Sequence, residues 1–292
     1  MQFRDFFRHI SLVFASYLGL LGMPMPLPVP PLPEDPVLLR VAPADAVLFA
    51  EWFGSGEPAK DPTNRTERLA AEPEVVAAIN KLVSSARGAL ERQGRREPNQ
   101  AEALLILDQL MAFVQLPGCV FVSDLKPFGG GLVVQVGADA TAVATSLTKA
   151  LNGLLPEGAP RAEKVVAGVT FETVTLPDGM QFVGWAAVDD YFVVTVGEAA
   201  ASQIVAGIRE QAPGLGGNPA VRTMLAGAKV ERPMLRTYAA IDAIVSQFPW
   251  VEQFWGPLGI SKATAALAES GLEDDGFVSR TQLAIAKPTG VL

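Results

Sequence analysis

The residues best suited to chemistry are carboxylates. Asp189-Asp190 and Asp274-Asp275 are adjacent acidic pairs, and two carboxylates facing one cleft can share acid–base work on a glycosidic bond or hold a divalent cation. Glu172 and Glu269 are further candidates for such a cleft. Both aspartate pairs fall where a strand must reverse, however, and aspartate is a common turn residue because its side chain bonds the backbone just ahead of it. The turn reading is the stronger one, so no residue is assigned as catalytic and no metal site is expected.

Other chemistries lack their parts. The chain has one histidine, His9, and one cysteine, Cys119. His9 lies in the N-terminal segment, so the remainder has no base for a Ser-His-Asp or Cys-His arrangement and no histidine for zinc. Cys119 sits in the apolar run Cys119-Val120-Phe121-Val122 and reads as a buried core thiol. Gly129-Gly130-Gly131 reads as a flexible turn, and neither it nor Gly256-Pro-Leu-Gly259-Ile-Ser-Lys262 has phosphate-loop spacing. No cofactor is expected. Ser261 and Lys262 are adjacent rather than spaced along one helix face, which argues against a serine–lysine hydrolase. With a net charge of −8, the chain is a poor partner for nucleic acid, whose phosphates call for a basic face.

Trp250, Phe254 and Trp255, with Phe248 and Pro249, form an aromatic cluster on an expected helix and loop. Such residues usually fill a core, and when exposed they anchor partners. They are the expected contact surface.

The elements that would position these residues begin near position 37. Residues 1–23 combine a weakly basic opening with an apolar stretch from Ile10 to Leu21. As a helix that stretch spans about 18 Å, short of the roughly 30 Å hydrocarbon core of a bilayer, and it matches the apolar region of a signal peptide. Its readings are a signal or a shallow membrane anchor, with an amphipathic helix packed on its own body as the alternative. Seven prolines between Pro24 and Pro36 follow; proline ends the helix and favours an extended spacer over residues 24–36. The expected address is outside the cytoplasm: periplasmic, envelope-associated or secreted.

Residues 37–292 read as one α+β body of largely antiparallel sheet with packed helices. A strand over Ala46–Phe53 precedes a helical hairpin near 73–114, and the part from 116 to 292 is rich in sheet. Strands are expected at Cys119–Leu125, Leu132–Val136, Val169–Leu176, Gln181–Val188, Tyr191–Val196, Leu235–Ile241, Ala263–Glu269 and Phe277–Ala286. Helices are expected near 138–154, 198–209 and after Asn218-Pro219, a cap followed by a first-turn proline. Leu132–Ala140 is similar to Phe192–Ala200 sixty residues later: an apolar strand, a glycine, and an alanine-rich helix start. That similarity points to two copies of a strand–strand–helix unit.

The run Pro43-Ala44-Asp45-Ala46-Val47-Leu48 resembles the openings of uncharacterised exported bacterial proteins built from repeated strand–helix modules. Val133–Gly137, Tyr191–Gly197 and Phe277-Val278-Ser279-Arg280 fit the same style. The resemblance implies an envelope location and a repeat body, and supplies no activity and no catalytic residues. The expected function is therefore a non-enzymatic structural or binding module engaging another envelope protein or polymer. The alternative is a carboxylate-based hydrolase acting on an envelope polymer or polysaccharide.

Overall fold

A computed structural model of the chain describes residues 30–56, 62–78, 81, 84–85, 88, 114–139, 145, 148, 160–175, 182–248 and 262–286. Ten strands run through them: β1 (Leu48–Trp52), β2 (Gly118–Leu125), β3 (Phe128–Gln135), β4 (Arg161–Val166), β5 (Val169–Val174), β6 (Val183–Val188), β7 (Tyr191–Val196), β8 (Arg232–Ala239), β9 (Ala263–Glu273) and β10 (Gly276–Ile285). They form one antiparallel sheet in the order β10-β9-β8-β1-β2-β3-β7-β6-β5-β4. The described helices are α1 (Pro36–Val41), α2 (Arg65–Ala70), α3 (Glu198–Ile208), α4 (Pro219–Ala228) and α5 (Ile241–Gln247). The chain is thus α+β and dominated by a single sheet.

Side chains alternate between the two faces of a strand, and the register divides the core accordingly. Cys119 faces Val133, which faces Val193, which faces Ala186. These residues, with Phe49, Phe121 and Leu267, share a buried cluster with Ile204 and Val205 of α3, Val221 and Met224 of α4, and Leu38 and Val41 of α1. The other face carries Trp52, Val134, Val183, Trp185, Phe192 and Val196 in a second cluster. Helix α1 packs on α3, α3 on β3 and β7, and α4 on β9 and β10.

Local signals explain the helix starts. Asp35 caps α1 by accepting from the Val37 N–H, with Pro36 in the first turn. Asn218 caps α4 by accepting from the Ala220 and Val221 N–H groups, ahead of Pro219. Three of these elements were not anticipated: α1, α2 and the polar edge strand β4.

Gly129-Gly130-Gly131 is not a turn but part of β3, which corrects the sequence reading. The reason is close packing. A Cβ on Gly130 would lie 2.3 Å from the Phe121 carbonyl oxygen, and one on Gly131 would lie 2.5 Å from Ile204 Cδ1 of α3. The glycines let backbone and helix approach the strand, at the cost of weak intrinsic strand preference.

The two similar segments meet in the sheet. β3 pairs with β7 so that Val133 faces Val193, Leu132 faces Val194 and Val134 faces Phe192. Residues sixty apart therefore exchange places about the Val133–Val193 pair. Of the expected helical hairpin, residues 73–78, 81, 84–85, 88 and 114 are helical; the rest of it and most of the helix near 138–154 lie outside the described residues.

Candidate functional site

The described carboxylates fall into three environments. Asp189 and Asp190 form the β6–β7 turn, where Asp189 adopts φ 50° and the Asp190 carbonyl accepts from the Val136 and Gly137 N–H groups. Asp274 and Asp275 form the β9–β10 turn; Asp274 accepts from the Arg65 backbone N–H at 2.9 Å and pairs with the Arg65 guanidinium at 3.3 Å, docking α2. All ten strands alternate in direction, so both turns lie at the same end of the sheet. Five strand spacings separate β7 from β9, about 24 Å at roughly 4.8 Å each. The two aspartate pairs cannot act on one bond.

The second environment is buried. Register sets Glu51 of β1 opposite Arg236 of β8, and Arg236 opposite Glu269 of β9. Arg236 donates from Nε and Nη2 to Glu269 Oε1 at 3.0 and 2.8 Å, and from Nη1 to Glu51 Oε2 and Glu34 Oε1, both at 2.8 Å. Its guanidinium lies 5.3 Å from the Phe53 ring centre. Glu269 is completed by the Val230 N–H, donating to Oε2 at 2.7 Å. Glu51 is 0% exposed and its Oε1 has no partner. Burial pushes the Glu51 carboxyl up to about 8, against the pull of Arg236, so it is protonated at neutral pH. The neighbouring Cys119 thiol is buried too and pushed upward, chiefly by desolvation, which leaves it unreactive.

This cluster also fixes the end of the proline-rich segment. Glu34 reaches Arg236, the Pro31 carbonyl accepts from Arg232 Nη2, the Leu32 N–H donates to the Phe53 carbonyl, and Asp35 Oδ2 accepts from the Tyr191 hydroxyl at 2.6 Å. The charges are turned inward onto one another and onto the chain. Their arrangement is that of a structural clamp.

The third environment is open. A recess of about 310 Å³ is lined by Arg161, Ala162, Glu163, Glu172, Thr173 and Trp185 at the β4–β6 end of the sheet. Glu163 stands opposite Glu172, and Glu172 opposite Trp185. Directly opposed residues have Cβ atoms roughly 4.5–5.5 Å apart, and like charges there repel. Both glutamates are exposed, and among the described residues neither they nor Arg161 form an ion pair. Trp185 is 2% exposed, and its indole N–H is buried without a partner. The recess therefore offers carboxylate acceptors and a guanidinium to a polar ligand, with the buried Trp185 indole in its wall.

Among the described residues, no group of three or more His, Cys, Asp or Glu is placed to hold a metal ion, and no helix is long and apolar enough to cross a membrane. Trp250, Phe254, Trp255 and His9 lie outside the described residues. Sequence reasoning missed Glu51, Arg236 and Glu163. The signal for the first two was a lone charge inside an otherwise apolar strand, which calls for a countercharge on a neighbouring strand. Glu163 was missed because β4 was. No protein-family model, curated protein or solved structure matches the chain.

Proposed function

We propose that this chain is a non-enzymatic exported or envelope-associated binding module that holds a polyhydroxylated polymer, such as an envelope polysaccharide, in the β4–β6 recess. The observation that carries the reading is the contrast between the two sets of charges. Arg236, Glu51 and Glu269 are bonded to one another in the interior, whereas Glu163, Glu172 and Arg161, in a recess lined also by Trp185, face outward with no ion pair among the described residues. Exposed carboxylates and a guanidinium outside any ion pair among the described residues suit hydroxyl-rich ligands, whose hydroxyls can donate to the one and accept from the other.

Two further features support the wider reading. The apolar stretch from Ile10 to Leu21 and the seven prolines after it fit an export signal or shallow anchor with a spacer. The exchange of residues sixty apart across the Val133–Val193 pair supports two copies of a strand–strand–helix unit.

One observation favours a second reading, the carboxylate hydrolase. Glu163 and Glu172 are directly opposed across β4 and β5, and a pair of neighbouring carboxyls is what a retaining glycosidase uses. Such an enzyme needs its two carboxyls in contrasting environments, and both of these are exposed. Binding without cleavage is the better-supported function.

Incubating the purified protein with insoluble envelope polysaccharide separates the two readings. Retention on the polymer without release of soluble fragments is expected. Fragment release that Glu172→Gln abolishes would establish the hydrolase instead. Fusing residues 1–40 to a reporter active only outside the cytoplasm tests the address, and an inactive fusion would sink it.

A further inference from the structure

The two edges of the sheet differ in kind. At one edge, β4 is six residues long and carries Arg161, Glu163 and Lys164, the charged, short form that discourages strand addition. At the other, β10 is ten residues long, contains no proline or lysine, and has Arg280 as its one charge. That charge is occupied: Arg280 pairs with Glu273 and donates to the Lys229 carbonyl. Among the described residues no strand follows β10 in the sheet.

The geometry points to β10 as the interface through which two copies of this chain pair edge to edge, antiparallel, across a twofold axis at Thr281. The register of the β9–β10 hairpin selects which groups are free. Gly276 faces Glu273 across the two-residue turn, so the even-numbered residues of β10 direct their N–H and C=O groups toward β9. Ala286 keeps that phase, donating to the Lys262 carbonyl. The odd-numbered residues Phe277, Ser279, Thr281 and Leu283 direct theirs to the open edge.

A second copy can satisfy these groups only where odd faces odd. Two such registers give extensive overlap. One centres on Arg280 and sets the two Arg280 residues in the closely spaced pair, where like charges are destabilising. The other centres on Thr281. It sets Thr281 opposite its own copy, Ser279 opposite Leu283, Phe277 opposite Ile285, and Arg280 opposite Gln282. That register has no like-charge pair and joins an aromatic to a β-branched residue, a favourable cross-strand combination. Phe277 and Leu283 are each 48% exposed and Ile285 62%, so the pairing covers apolar side chains now open to solvent. It is isologous and closes at two copies, whereas joining β10 to the β4 edge would propagate into a fibre.

Sedimentation of the full chain at micromolar concentration tests this. A dimer is expected for the natural protein. Thr281→Pro removes an outward N–H and leaves the β9–β10 hydrogen bonds in place, and Thr281→Lys sets two like charges on the axis. Both variants are expected at half the mass with unchanged circular dichroism. Thr281→Cys joined by a short thiol-reactive linker should trap the dimer, while Val165→Cys on β4 should not. A monomeric natural protein would overturn the proposal. So would a dimer that survives both Thr281 substitutions, or one that disappears only on removal of residues 1–29.

Discussion

Arg236 is the countercharge for the buried Glu269 and donates as well to the protonated Glu51. Its removal leaves Glu269 buried and unpaired, and breaking such a cluster from one side costs about 3–5 kcal/mol. Arg236→Met is expected to lower unfolding free energy by that order in a denaturant titration, and Arg236→Lys to recover little of it, because an ammonium cannot reproduce the fork that reaches Glu269 from Nε and Nη2. Glu51 behaves differently. In the folded protein it keeps its proton up to about pH 8, above its ordinary value of 4.5. Between those values the folded state binds more protons than the unfolded one, so stability falls as pH rises through that window, by at most about 1.4 kcal/mol per pH unit. Glu51→Gln is expected to flatten this fall, so that unfolding curves for variant and natural protein differ most above pH 8. Identical pH dependence of the two would contradict the assignment. In the sequence, Glu51 and Arg236 each appear only as an odd charge in an apolar strand. Their partnership depends on β1 lying beside β8, a neighbour nearly two hundred positions away that no local pattern specifies.

At the scale of elements, the strands with strong apolar content were legible and the polar one was not. The expected strands Cys119–Leu125 and Tyr191–Val196 coincide with β2 and β7 to within a residue, because buried strands demand apolar, β-branched sequences. β9 runs on to Glu273 and β8 begins at Arg232, beyond the expected bounds, because the two strands keep pairing there, Arg232 with Leu272 and Pro233 with Gly271. Arg161-Ala-Glu-Lys-Val-Val166 carries three charges in six residues and has no strand signature; its strand state comes from pairing with β5 at the sheet edge. Helix starts were better marked. Asn218 caps α4 and also donates from Nδ2 to the Ala44 carbonyl at 2.8 Å. Asn218→Ala is expected to cost about 1 kcal/mol, measured by thermal or denaturant unfolding. Asn218→Asp, which keeps the capping oxygen, should lose less.

For the whole molecule, the sequence indicated the α+β class, and of the two recess glutamates it singled out Glu172 but not Glu163. Asp189, Asp190, Asp274 and Asp275 stand out because they are adjacent in the chain, and in the fold they are turn residues at separated hairpins. Glu163 and Glu172 are nine positions apart, and only the β4–β5 register sets them face to face. An exposed pair of like charges beside a buried, unpartnered indole N–H is poor design for stability alone, and such local costs are typical of surfaces kept for binding. The most direct test of that account is retention of the purified protein on insoluble envelope polysaccharide, for the natural chain and for the double variant Glu163→Gln, Glu172→Gln. The natural protein is expected to bind without releasing soluble fragments. The double variant is expected to remain folded, to be at least as stable once the repulsion is gone, and to lose most of its retention. Equal retention by both proteins, or fragment release by the natural one, would contradict the account.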